Sequence, residues 1–244
     1  MTWWTVRDQA PSAARSVAYL AAWPGMDADT FLDASRCPAR PGVRQWLAAT
    51  AKTALGVTLL WVVARWVPAA HHLARGWIGL FGLIFLLHFG SFHLIALFWQ
   101  TVGIDAEPIM SNPLAAKTLS EFWGKRWNLG FRQLAHEFIF RPLLRRTGPT
   151  VAGLLVFVAS GLIHDLVISL PARGGYGLPT AYFVIQGLGV IFERSTLAGR
   201  MGLQNALPSR ILTILVTAAP VYWLFHPPFV ERVILPFMHV IHCL

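Results

Sequence analysis

The chain carries two reactive groups of residues in surroundings poor in water. Phe122-Trp123-Gly124-Lys125-Arg126-Trp127-Asn128 is aromatic, basic and amide-bearing. Ser160-Gly161-Leu162-Ile163-His164-Asp165 places a histidine and an acid inside a run that otherwise reads as a bilayer-crossing helix. Ionisable groups at that depth are costly and usually face a cavity, a partner or a substrate. A neutral buried imidazole at His164 is a sound general base for an incoming hydroxyl. The Asn128 amide can orient a nucleophile or donate to a developing oxyanion.

Each feature also has a plainer reading. His164 can be a core histidine bonded to a neighbouring helix, and residues 122–128 can anchor a surface helix at the interface. Ser160 lies one turn before His164 on the same helical face. Asp165 points about 100° away from His164, which suits an interhelical hydrogen bond or ion pair that fixes the helix carrying the histidine. Gln186, also within an apolar run, suits a helix–helix hydrogen bond. Lys125, Arg126 and Arg132 can meet the phosphates of a carrier such as coenzyme A, with arginine favoured for forked contacts. The same cations can equally mark a cytoplasmic face. Trp123 and Trp127 complete the set of candidate substrate-binding side chains.

No catalytic metal is expected, because the remaining histidines do not converge. His88 and His93 lie about 140° apart on a helix, His71-His72 fall between spans, and His239 and His242 share a face without a third ligand nearby. Ser160 lacks a GxSxG elbow and lies in a span, which argues against a serine hydrolase. Cys37 and Cys243 fit neither a metal nor a redox spacing.

Elements that hold such groups must cross a membrane. The 244 residues are 55% hydrophobic and only 13% charged, with mean hydropathy +0.54; soluble domains carry charge at about 25% of positions. The net charge of +9 reflects scarce acids, and the bases form no nucleic-acid-reading motif. The N-terminus lacks a signal-peptide core, since Arg7, Asp8 and Arg15 interrupt it. Residues 1–46, with Trp3, Trp4, Trp23, Trp46 and Pro-Gly turns at Pro24-Gly25 and Pro41-Gly42, read as an interfacial segment. Residues 47–244 read as one transmembrane domain. Its spans are expected at 47–67, 77–99 and 151–170, with weaker ones at 180–192, 211–225 and 229–244; an amphipathic basic stretch covers 120–146. The fold class is therefore all-α, a multi-span transmembrane helical protein of about six spans with interfacial amphipathic helices. The Lys and Arg distribution places both termini and residues 100–149 in the cytoplasm.

On these residues the chain resembles the wax synthase branch of the membrane-bound O-acyltransferase superfamily, as a short bacterial-type member. The FWGKRWN segment is similar to that branch's aromatic-basic-Asn motif, with Lys125 where Arg is common. Ser160–Asp165 is similar to its SGLxHE stretch, with Asp165 in place of the usual Glu. Trp23-Pro24-Gly25-Met26-Asp27, Gly177-Leu178-Pro179, Gln186-Gly187 and Phe192-Glu193-Arg194 add to the likeness, which is strongest over residues 120–194. The resemblance implies acyl transfer from acyl-CoA to a lipophilic alcohol in a bacterial cytoplasmic membrane. His164 and Asn128 would be catalytic, with acyl-CoA as co-substrate and no cofactor. Membrane lipid would be the surroundings, nucleic acid no partner, and self-association stays open. Two alternatives remain: acylation of a smaller hydroxylated metabolite, and a non-catalytic transporter component that uses His164 and Asp165 as a proton relay.

Overall fold

A computed structural model describes residues 12–23, 26–203 and 205–244; Trp3, Trp4, Arg7, Asp8 and the Pro24-Gly25 turn lie outside the described residues. Every regular element among the described residues is helical. Two short N-terminal helices, α1 (Ala13–Ala22) and α2 (Ala28–Leu32), precede α3 (Val43–Trp66) and α4 (Ala69–Thr101). A short helix α5 (Leu119–Glu121) runs directly into a π-turn at Phe122–Arg126. Then come α6 (Leu129–Ala172), α7 (Leu178–Glu193), α8 (Thr196–Arg200), α9 (Ala206–Leu224) and a C-terminal helix α10 built of three short pieces over 227–240.

Four of these, α3, α4, α6 and α9, are long and apolar enough to cross a bilayer. The spans expected at 180–192 and 229–244 become helices of about 24 Å and 21 Å at ~1.5 Å per residue, shorter than a hydrocarbon core of ~30 Å. Together these features make the chain an all-α integral membrane protein.

The expected basic stretch and the third span are one helical unit, α6, bent at Gly148. Gly148 has φ +77°, a region open to glycine and costly for residues with a Cβ. Pro149, which has no N–H to leave unbonded, then starts a fresh helical run. The bend separates the segment bearing Arg141, Arg145 and Arg146 from the apolar length that reaches His164.

Two sets of helices pack around one continuous hydrophobic core. In the first, α3 lies along α4, and α10 packs on α4 with Met238 fully buried against Gly79. The α10 C-terminus is held by α3: Arg65 donates to the Cys243 carbonyl at 3.1 Å and Trp61 to that of Ile241 at 3.3 Å. These bonds satisfy carbonyls that a helix end leaves open. The second group is the antiparallel pair α6 and α7, with α9 and α5 against α7. Gly161 lets α6 approach α7 so closely that a Cβ there would lie 2.6 Å from the Thr180 Cα.

The N-terminal helices sit on the end of α4, where Phe31 meets Trp99 edge-on at 5.2 Å. Arg15 donates to the Phe31 and Asp33 carbonyls at 3.2 and 2.8 Å. Trp23 is only 2% exposed and packs in this cluster with Tyr19.

Candidate active site

A cavity of about 330 Å³ opens between α5, α6 and α7, and both His164 and Asn128 line it. Trp123, Trp127, Arg132 and Ser160 line it too. Lys125, Arg126, Asp165 and Gln186 do not.

His164 is the last residue of the regular α-helical part of α6, before a π-turn at Asp165–Ser169. Its Nδ1 lies 2.7 Å from the Ser160 carbonyl oxygen, one turn back. A carbonyl only accepts, so in the neutral imidazole Nδ1 carries the proton and Nε2 holds the free lone pair. The ring packs on Phe183 of α7 with centroids 4.4 Å apart. Ser160 thus acts on His164 through its backbone. Its hydroxyl is occupied with the Val156 carbonyl at 2.8 Å.

Asn128 stands between the π-turn and α6 with φ +42°, a left-handed conformation that Asn tolerates better than most residues. Its Oδ1 accepts from the Phe131 N–H at 3.2 Å and caps α6. The cap uses only the oxygen. The Nδ2 amino group donates to no described residue, which leaves a donor on the cavity wall.

The segment that carries Trp123, Trp127 and Asn128 is fixed from the far end of α7. Glu193 accepts from the Leu119 N–H at 2.7 Å, the Ser120 N–H at 2.9 Å and the Ser120 hydroxyl. Arg194 donates to the Ser120 Oγ at 3.0 Å. A carboxylate on the open N–H groups of a helix start is favoured by both hydrogen bonding and the helix dipole. Gln186, fully buried, accepts from the Trp123 Nε1–H at 3.3 Å and donates to the Val216 carbonyl at 2.7 Å. It ties α5, α7 and α9 together behind the cavity wall.

The basic residues divide. Arg132 reaches the cavity mouth and donates to the Gly124 carbonyl at 2.7 Å. Arg126 is taken up by Glu121, at 2.8 Å from Nε, and by the Ser111 and Asn112 carbonyls. The Lys117 N–H and the Arg126 guanidinium hold the Glu121 carboxyl below the usual carboxylate range. Lys125 is exposed.

Asp165 faces away from the cavity. Its Oδ1 accepts from the Ser169 hydroxyl and the Gly177 N–H, both at 2.8 Å, and its Oδ2 from the Thr180 N–H at 3.1 Å and the Thr180 hydroxyl. The carboxylate therefore caps α7 across the loop. Ser169 in turn meets the Nε2 of His226 at 3.1 Å, and the Nδ1 of that ring accepts from the Phe229 N–H. Removal of the carboxylate leaves several donors without an acceptor, at ~1–3 kcal/mol each. Asp165→Ala is expected to lower stability by roughly 3 kcal/mol or more. Thermal unfolding in detergent, followed by helical circular dichroism, checks this; an unchanged midpoint would sink the capping role.

Several lining residues carried no signal in the sequence. Phe157 and Phe183 look like any other apolar helix residues until the fold sets Phe183 on His164 and Phe157 edge-on to Trp123. His136, stacked on Phe140 at 5.3 Å, joins Arg132 and Arg194 at the mouth. Glu193 and Arg194 had stood out only as part of a familiar tripeptide. No group of three or more His, Cys, Asp or Glu side chains able to hold a metal occurs among the described residues.

The architecture defines an integral membrane protein with a histidine and an amide lining one half-open cavity that is rich in aromatic side chains. Residues 106–185, which hold both groups, match the Membrane bound O-acyl transferase family. The match covers about a third of the chain, and the likeness to this superfamily read from the motifs is borne out there. It is 30% identical over 144 residues to the long-chain-alcohol O-fatty-acyltransferase of Simmondsia chinensis, covering 54% of this chain and 41% of that protein. It is 29% identical over 137 residues to acyl-CoA–sterol O-acyltransferase 1 of Arabidopsis thaliana, covering 52% and 39%. To the probable long-chain-alcohol O-fatty-acyltransferase 3 of Arabidopsis thaliana it is 27% identical over 166 residues, covering 58% and 48%. The matches span less than half the length of these relatives.

Proposed function

We propose that the protein is a membrane-embedded O-acyltransferase that moves an acyl group from acyl-CoA to the hydroxyl of a lipophilic alcohol. The observation that carries this reading is the convergence of a lone-pair-bearing His164 Nε2 and an uncommitted Asn128 Nδ2 on one cavity. His164 takes the alcohol proton as the oxygen attacks the thioester carbonyl. Asn128 donates to the oxyanion of the tetrahedral intermediate. Collapse of that intermediate breaks the C–S bond, and the CoA thiolate recovers the proton from the imidazolium. A thioester is already activated, so the step requires neither a covalent enzyme intermediate nor a metal. The aromatic side chains of the cavity wall leave few polar partners for water near His164, which favours the ester over hydrolysis.

Charge supports the same direction of approach. Arg132, His136 and Arg194 ring the end of the cavity nearest the basic segment of α6, which suits the phosphates of CoA arriving from the cytoplasm. In this arrangement both termini are cytoplasmic, residues 1–46 lie at the interface, 47–244 form the catalytic domain, and the membrane is the bacterial cytoplasmic membrane. The proton-relay alternative is less well supported, since Asp165 is committed to four donors away from the cavity.

The test is CoA release by the detergent-purified protein with palmitoyl-CoA and a panel of fatty alcohols, a sterol and small hydroxylated metabolites. Alcohol-dependent release with an ester seen by mass spectrometry is the expected result. Folded protein that releases no CoA with any donor and acceptor pair would overturn the proposal.

A further inference from the structure

The wall of the cavity contains a glycine that packing does not require. Gly153 lies on α6 on the same face as Pro149, Val156, Ser160 and His164, all of which line the cavity. A Cβ built on Gly153 would meet nothing within 4 Å. By contrast, glycines at helix contacts here are pressed by neighbours, as Gly161 is by Thr180 and Gly187 by Leu154 at 2.9 Å. Glycine is among the poorest residues for a helix interior, and Gly153 gains no close packing in return. What it provides is open width in the cavity.

Its position says what passes there. Gly153 lies about 16 Å along the helix axis from His164, at ~1.5 Å per residue. Since α7 runs antiparallel to α6, Val190 and Arg194 fall near the level of Gly153 and Pro149, while Phe183 falls at His164. The cationic mouth and the imidazole are therefore at opposite ends, with Gly153 on the way between them. If phosphates stop at the mouth and the thioester stops at His164, the part of the donor beside Gly153 is the slender arm that joins them.

We propose that Gly153 sets the bore of the passage through which the carrier arm of acyl-CoA reaches His164, and so sets how readily acyl-CoA donors of any chain length enter. This inference rests on the acyltransferase reading. A methyl group at this point narrows the passage without touching the surrounding protein, and a larger side chain narrows it further; either acts on the carrier that all donors share, not on the acyl chain beyond the thioester.

The experiment measures KM and kcat for butyryl-, octanoyl- and palmitoyl-CoA with one long-chain alcohol in the parent, Gly153→Ala and Gly153→Leu. The donor KM should rise about tenfold or more in Gly153→Leu and severalfold in Gly153→Ala, alike for all three donors, with the alcohol KM within about twofold of the parent. The thermal midpoint of Gly153→Ala should not fall, so it serves as the working variant if Gly153→Leu does not fold. An active parent whose variants keep its donor KM overturns the inference and leaves the acyltransferase reading in place. So does an effect that grows with acyl length, or one confined to the alcohol. A parent inactive with every donor overturns both.

Discussion

His164→Ala is expected to reduce alcohol-dependent CoA release by about 10²–10⁴-fold, the range over which a positioned general base contributes. The reason is local. The Ser160 carbonyl fixes the proton on Nδ1 and turns Nε2 outward, and Phe183 holds the ring plane at 4.4 Å. No other side chain within the cavity combines a free basic nitrogen with that degree of restraint, since His136 is solvent-exposed at the mouth. The substitution also loses one hydrogen bond, worth roughly 1 kcal/mol, so folding is expected to persist and the loss to fall on kcat. Steady-state kinetics on protein of confirmed helicity decides the matter. A loss below about tenfold would move the base elsewhere, because a general base rarely contributes so little.

The second large effect separates two jobs of one residue. Asn128 both caps α6 through Oδ1 and offers Nδ2 to the cavity. Asn128→Asp keeps an acceptor for the Phe131 N–H and a residue type that tolerates the left-handed conformation. What it removes is the donor. Stability should stay within ~1 kcal/mol of the parent, while kcat should fall by about 10²–10³-fold, the usual effect of losing one oxyanion donor. Asn128→Ala, by contrast, should lose the cap, the tolerated backbone and the donor together. If Asn128→Asp turned over like the parent, Asn128 would be a cap alone, and the oxyanion would need another partner.

The two carboxylates of the α6–α7 region explain how these groups come to line one cavity. Asp165, next to His164, caps the start of α7. Glu193, at the other end of α7, caps the start of the segment that leads to Asn128. One helix thus fixes both walls of the cavity, by hydrogen bonds that the membrane interior makes costly to leave unmade. The geometry needed for proton transfer depends on such support.

Much of this was legible in the sequence because it rests on composition and local periodicity. Long apolar runs with few charges must be helices in a bilayer, since no other open structure satisfies its own backbone there. The proximity of Ser160 to His164 follows from a 3.6-residue repeat. His164 and Asn128 were equally readable as candidates for chemistry, because an imidazole and an amide in apolar surroundings have few uses, and both line the cavity. Asp165 as an interhelical tie and Gln186 as a helix–helix bond also followed from their depth in spans.

The tertiary structure decided what depends on residues far apart in the chain. Which polar groups share the cavity, and which stand behind its wall, is set by how α5, α6 and α7 rotate against one another, and no local pattern encodes that rotation. Arg126 and Arg132 look alike in sequence, yet one is absorbed by Glu121 and the other reaches the mouth. Glu193 lies more than seventy residues from the N–H groups it accepts from, so its part in holding Asn128 could be seen only once the chain had closed on itself. The sequence determined the solvent this protein folds in and the reactive groups it carries there. The packing of one short helix decided that they line one cavity.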